Sequence, residues 1–389
     1  MSGTSLLGGL TQHEFLRDYW QRRPLLVRQA FADIRAPISA DELAGLALES
    51  DVPSRLVMQH DVARWSLRYG PFEEADFASL PETHWTLLVT DLEKFVPALY
   101  TLIEPFRFLP DWRIDDLMIS YAAPHGSVGP HTDAYDVFLL QLEGTRRWQI
   151  DTRPVDPENR LPDVDLRILA HFEPESEWVL EPGDMLYLPP GIAHYGVALD
   201  ACMTASIGFR APGQKELVSA WLDDVAARVD PECRYGDAGR PVARNPGEID
   251  PASRQAIVSM MREALERSDD ALERWFGRYI TEPRADLVSL YPEPEGWTNE
   301  GLAQHLASGR DLKRNTAARL AYFTQQETLF LYADGEEYPL DMNFQALVAV
   351  LCQRIDFPAT LCRQLLDNHP DACGLIVRLL DRGILEPAE

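Results

Sequence analysis

The chain has 389 residues and 46% hydrophobic content, ordinary for a globular protein and enough for two or three folded units. A net charge of −26, from 62 acidic and 36 basic residues, excludes a general electrostatic footprint for nucleic acid; it either attracts basic partners or simply keeps the chain soluble. No apolar run approaches the roughly 18 residues of a membrane helix, no basic-then-apolar leader opens the sequence, and scattered cysteines without CxxC pairs point to reduced thiols in the cytoplasm.

In chain order, Thr11 with Glu14 forms a capping box that starts a helix, which Arg23-Pro24 should end. Leu25–Val27 then reads as a strand, and Ser39 with Glu42 starts a second helix. Strands are expected at 55–58, 65–68 and 85–89, and an amphipathic helix over 94–106 with Phe95, Leu99 and Leu102 on one face. From Asp115 to Ile207 the pattern changes to short strands punctuated by turns, the signature of a barrel or jelly roll. A hairpin is expected at Glu143-Gly144-Thr145, and a polar, Pro-rich insert over 151–165. Helical spacing returns over 214–230 and 252–280, around a Pro/Gly-rich link. From Gly301 onward the order is helix, strand, a hairpin turning at Asp334-Gly335, then three helices, which resembles a winged helix. That segment carries 12 acids against 8 bases, so it reads as a structural or protein-interaction module with no direct DNA binding.

The chemistry-bearing residues fall inside the strand-rich part. His131 and Asp133 stand at i and i+2, a spacing that puts both side chains on one face of a strand. His194 follows a Gly-Asp turn, an apolar run and the stiff Pro189-Pro190-Gly191. Two imidazoles and one carboxylate on one side of a metal leave the opposite positions open, as in non-haem Fe(II) oxygenases, although the same set also suits zinc. Asp136 falls on the opposite strand face, His125 sits in a loop of poor geometry, His84 reads as structural, and His171, at the far end of the insert, does not read as a ligand. Tyr135 shares the face of Asp133 and is placed to line a substrate channel. Alternation places Arg146, Trp148 and Ile150 on one inward face. A guanidinium there needs an anion, either a carboxylate ligand or an internal acid. No lysine occurs between Lys94 and Lys215 to take that role.

Longer strings add a family. Trp20–Pro24, Asp41-Glu42, LPDWRIDDLMIS (109–120), GPHTDAYDVFLLQ (129–141), LEPGDMLYLPPGIAH (180–194) and SIGFRAP (206–212) together resemble the bacterial JmjC-type ribosomal oxygenases, arginine hydroxylases acting on protein 16 of the large ribosomal subunit. The resemblance covers nearly the whole chain. It implies a mainly β fold with added helices: a double-stranded β-helix, the cupin-like jelly roll, over 1–212. A helical region over 213–300 that forms a homodimer interface and a winged-helix-like domain over 301–389 would follow. It implies Fe(II) and 2-oxoglutarate, with His131, Asp133 and His194 as iron ligands, Arg146 on the distal carboxylate and Ser120 as a further contact. Thr204 stands where some relatives carry Asn. The implied reaction is hydroxylation at Cβ of a substrate arginine. A metal-binding cupin-like protein without oxygenase activity, a lysine demethylase of the same fold and a non-catalytic ribosome-assembly factor stay open on the residues alone.

Overall fold

The segment DVFLLQLE is apolar at successive positions, not alternate ones, which marks a strand covered on both faces. The structure, a computed structural model that describes residues 6–162, 164–266 and 269–388, shows those two faces. Val137 and Leu139 pack with Trp148, Ile150, Leu180, Leu186 and Leu188 between two sheets. Phe138, Leu140 and Leu142 point the other way, into a large core shared with the N-terminal helices.

The N-terminal part contributes α1 (Gln12–Asp18), β1 (Leu25–Val27), α2 (Ala40–Leu46), β2 (Ser54–Gln59), β3 (Trp65–Tyr69), α3 (Glu74–Ala78), β4 (Trp85–Val89) and α4 (Leu92–Phe95). The barrel strands are β5 (Ile114–Ala122), β6 (His131–Thr132), β7 (Asp136–Glu143), β8 (Arg146–Asp151), β9 (Ser176–Leu180), β10 (Met185–Leu188), β11 (Ala193–Ala198) and β12 (Cys202–Phe209). They form an eight-stranded sheet, β1-β10-β7-β12-β5-β4-β2-β3, facing a four-stranded sheet, β6-β11-β8-β9. This is a jelly roll with an N-terminal extension of its larger sheet. Helices α5 (Gln214–Arg228), α6 (Pro251–Leu265) and α7 (Asp269–Thr281) follow. The C-terminal unit is α8 (Asn299–Ala307), β13 (Leu312–Arg314), β14 (Leu320–Gln325), β15 (Thr328–Ala333), β16 (Glu336–Asp341), α9 (Gln345–Gln353), β17 (Asp356–Phe357), α10 (Ala359–Asn368), α11 (Cys373–Asp381) and β18 (Leu385–Pro387). It has its own apolar core, a winged-helix arrangement with the β14-β15-β16 meander as the wing.

Both expected capping boxes are formed, at Thr11/Glu14 and Ser39/Glu42. Four expectations are corrected. Helix α1 ends at Asp18, well before Pro24, because Gln21 adopts a left-handed φ of 56°. The helix expected over 94–106 is broken: α4 has four residues, and two 3₁₀ turns, Pro97–Leu102 and Glu104–Phe106, replace the rest. Pro97 and Pro105 each lack the N–H that an α-helix would need there. Glu143-Gly144-Thr145 is no hairpin, since β7 and β8 belong to different sheets. The turn is a corner between the sheets, where Gly144 has φ 61° and any Cβ would meet the Ala201 carbonyl at 2.3 Å. The helical stretch 252–280 divides into α6 and α7, and residues 267 and 268 lie outside the described residues. Among the described residues no helix is long and apolar enough to cross a membrane.

Candidate metal centre and active site

His131 and His194 are direct cross-strand partners between β6 and β11, with ring centroids 4.2 Å apart. Strand β6 has only two residues, so Asp133 lies just past its end. The Pro-Pro-Gly turn fixes it there: the Gly191 N–H, at φ 81°, donates to the Asp133 carbonyl at 2.8 Å. One Asp133 oxygen lies 3.5 Å from His194 Nε2 and the other 3.9 Å from His131 Nε2. All three offered atoms fall within 4.8 Å of one another, a set that one cation can gather with small side-chain adjustments. Each ring is oriented through its other nitrogen, His131 Nδ1 to the Gly129 carbonyl at 2.9 Å and His194 Nδ1 to the Ile192 carbonyl at 3.0 Å. That pairing leaves both Nε2 lone pairs turned toward the centre. Burial, and after it the neighbouring His131, push the His194 imidazole down to about 4, so it is neutral and ready to ligate.

Deeper in the barrel, β8 alternates as expected: Arg146, Trp148 and Ile150 are buried. Opposite them on β11 stand Ala198, Gly196 and His194, in register. The small residues make room; a Cβ on Gly196 would lie 2.7 Å from the Trp148 ring. Arg146 is 6% exposed, and among the described residues no carboxylate forms an ion pair with it. Its Nη1 reaches Ser120 Oγ only at 3.5 Å, and its Nε and Nη2 are buried without a hydrogen-bond partner. The internal-acid alternative is thereby removed. A buried, unpaired guanidinium is a socket for an anion. Arg146 and His194 are four ladder steps apart, about 13 Å between Cα layers at the usual strand rise, which suits a short dicarboxylate bridging the guanidinium and the metal position. Ser120 and Thr204 are register partners beside it, and Thr204 Oγ1 is tied to Gln141 Oε1 at 3.1 Å.

The remaining candidates stay apart from this centre. Asp136 accepts from Tyr187 Oη (2.6 Å), Gln21 Nε2 (3.0 Å) and Arg113 Nη2 (3.2 Å), a structural knot that joins the Trp20–Pro24 and Leu109–Ser120 strings. His125 and His84 lie in exposed loops with rings 5.1 Å apart, and the His171 backbone is bonded to Asn159.

Residues 101–217 match the JmjC domain model, and residues 261–386 match the ROXA-like winged helix. The ribosomal protein uL16 3-hydroxylase of Escherichia coli K12 is 37% identical over 370 residues, which is 95% of this chain and 96% of that protein. The chain belongs to the bacterial JmjC-type ribosomal oxygenases. The crystal structure of E. coli YcfD superposes with a TM-score of 0.83 at 36% identity, covering 98% of this chain and 99% of that one. A YcfD complex with cobalt and 2-oxoglutarate superposes with a TM-score of 0.80 at 35% identity and the same coverage.

In this ribosomal oxygenase the barrel interior also holds an acid that its sequence pattern concealed. Leu117 and Ile119 of β5 point into the large core, so Asp116, Met118 and Ser120 face the barrel interior. On β12 the same logic turns Thr204, Ser206 and Gly208 inward. Asp116 lies against Gly208: a Cβ there would be 2.8 Å from Asp116 Oδ1 and 3.9 Å from the Tyr135 ring. Burial, and then the negative charges of Asp133 and Asp116, push the Tyr135 phenol up. Tyr135 is 39% exposed, so this end opens to solvent. Burial, followed by Glu93, Asp115 and Asp91, pushes the Asp116 carboxyl up to about 8. The period-2 pattern running back from Ser120 could have identified Asp116. The neighbouring Asp115 hid it, since a run of two acids in a strand reads as surface.

Proposed function

We propose that this ribosomal oxygenase hydroxylates an arginine side chain, at Cβ, of large-subunit ribosomal protein uL16. As a 2-oxoglutarate-dependent dioxygenase it takes Fe(II) and 2-oxoglutarate. His131, Asp133 and His194 would hold the iron. Arg146, assisted by Ser120, would hold the distal carboxylate of 2-oxoglutarate. When bound, these groups supply the oxidation of a C–H bond by dioxygen, with succinate and carbon dioxide as co-products. The chain's own residues place the reactants and exclude water. Trp148 and Ile150 wall the inner pocket, and Asp116 with Tyr135 receives the substrate at the mouth.

The single observation that carries the arginine reading is Asp116 beside Tyr135. A half-buried carboxyl group next to an aromatic ring, on the open side of the triad, offers a guanidinium an acceptor that ionises on pairing and a face to lie on. The net charge of −26 favours a basic ribosomal protein as partner, and such a partner places the enzyme in the cytoplasm.

A homodimer belongs to the same proposal. Helix α6 has no buried residue along its whole length, and Ile257, Val258, Met261 and Leu265 on it are exposed. Val218 and Leu222 on α5 are exposed as well. A helix with a bare apolar face wants a partner.

The test is incubation of Fe(II)-loaded enzyme with 2-oxoglutarate, dioxygen and uL16, followed by peptide mass spectrometry. The expected result is a gain of one oxygen atom on one arginine, dependent on 2-oxoglutarate. Succinate formation without any modified arginine would keep the oxygenase and reject the substrate.

A further inference from the structure

The four-residue helix α4 lies between the substrate strand β5 and the C-terminal half of the chain, and it is charged where it should be apolar. Asp91, Glu93 and Lys94 are all buried. Lys94 Nζ pairs with Asp91 and, at 3.2 Å, with Glu93, and it donates to the Asp115 carbonyl at 3.2 Å. Glu93 accepts the Leu117 N–H at 2.9 Å. These two contacts bracket Asp116 on β5. From the other side, Arg284 Nη1 reaches Asp91 Oδ1 at 2.8 Å, while its Nε and Nη2 grip Asp286 at 3.1 and 2.6 Å. Arg284 follows α7 and falls within the stretch matched by the winged-helix model. Thr316, also from that stretch, donates to the Lys94 carbonyl at 2.9 Å.

We propose that Arg284 is a positioning residue for substrate: reaching across from the C-terminal half, it balances Asp91 and so sets the pH at which Asp116 ionises to accept a cationic side chain. The inference rests on Asp116 as the guanidinium acceptor. The charge count explains the role. Asp116 faces Asp115 on its own strand, Asp91, Glu93 and Lys94 from α4, and Tyr135 from the loop beside Asp133. Arg55 of β2 lies near Tyr135. Arg210 after β12 and Arg319 before β14 come within 4.0 and 3.8 Å of Asp115. Asp91 is the acid in this group that depends on Arg284. Its Oδ2 is buried with no hydrogen-bond partner. Without Arg284 the cation left on Asp91, among the described residues, is Lys94, which must also serve Glu93. The region becomes more negative, and Asp116 holds its proton to higher pH. The C-terminal half of the chain thus acts on the active site through the Arg284–Asp91 pair, a use that needs no nucleic acid.

The experiment compares the full-length holoenzyme with Arg284→Gln, Arg284→Lys and Asp91→Asn, each with and without Asp116→Asn. Two readouts are taken: the acid limb of kcat/KM for the arginine peptide, and the difference in melting temperature between each protein and its Asp116→Asn counterpart as a function of pH. The second follows Asp116 without any substrate. In Arg284→Gln both curves should move to higher pH by a few tenths to about one unit, the usual size of one nearby charge. Arg284→Lys should restore them, and Asp91→Asn should move them the other way. None of the three should shift the limb in the Asp116→Asn background. Curves superimposed on wild type would overturn the inference. So would a pH-independent loss of activity with weakened 2-oxoglutarate binding, which marks simple damage to the fold. If wild type modifies no arginine, the functional reading fails, and the melting curves still decide the role of Arg284.

Discussion

Arg146→Met should make the free protein more stable and the enzyme nearly useless, and the opposite signs make this the most informative substitution. In the free protein Arg146 buries two side-chain nitrogens, Nε and Nη2, with no partner, and its one side-chain hydrogen bond, to Ser120, is at 3.5 Å. Each unsatisfied buried polar group costs about 1–3 kcal/mol. Against that stands the contact with the Trp148 face, 5.7 Å from the ring centroid, worth about 0.5–2 kcal/mol, part of which a methionine sulfur recovers. The net change is a gain of about 1–5 kcal/mol for the co-substrate-free protein. Binding moves the other way. Loss of two charge-assisted hydrogen bonds to a carboxylate, about 3–6 kcal/mol together, weakens 2-oxoglutarate by about two to four orders of magnitude. Thermal denaturation with a redox-inert divalent metal, with and without 2-oxoglutarate, reads both effects. The variant should melt above wild type when the ligand is absent and lose the ligand-induced rise. A variant that melts lower without ligand and still binds 2-oxoglutarate would mean that Arg146 has an internal partner, and the socket argument would fail.

Four further outcomes are expected. Asp133→Ala should lower divalent-metal affinity more than about a hundredfold, beyond what loss of an outer-sphere contact does, and abolish turnover while circular dichroism stays native; a metal-replete, active variant would displace the triad. Gly196→Ala puts a methyl group 2.7 Å from the Trp148 ring, and should cost about 1–3 kcal/mol by overpacking and tilt the ring beside His194; neutral stability with full activity would place open space there. Asp116 gives a signed pH dependence. Its carboxyl is pushed up to about 8, above its unfolded value of 3.8, so the folded state binds the extra proton between those pH values and stability falls as pH rises through them. The advantage of Asp116→Asn in melting temperature should therefore grow from pH 4 to 8 and level off above, while its activity on arginine loses the acid limb; a pH-independent difference would refute the assignment. Met261→Glu places a charge on the bare face of α6, and should convert a dimer to monomer in analytical ultracentrifugation, whereas an unchanged sedimentation coefficient would remove the dimer from the proposal.

Local chemistry was legible in the sequence wherever it depends on near neighbours. The capping boxes at Thr11 and Ser39, the alternation of Arg146, Trp148 and Ile150, and the Asp334-Gly335 turn each follow from contacts a few residues apart, which periodicity and propensity report directly. The pairing of His131 with His194 could be anticipated because the donor types themselves limit the chemistry. What the tertiary structure decided depends on which sheet a strand joins. Gly144 looks like a hairpin residue because a tight turn needs a positive φ in either case; only packing shows that it turns a corner between two sheets. Whether the inward Arg146 would meet an acid or an open socket was undecided by alternation, since alternation gives the face of a residue and not its opposite number. Asp116 and Arg284, far apart in the chain, are linked through the buried ions of α4. No local pattern encodes such a chain of contacts, because its energy comes from desolvated charges brought together by folding.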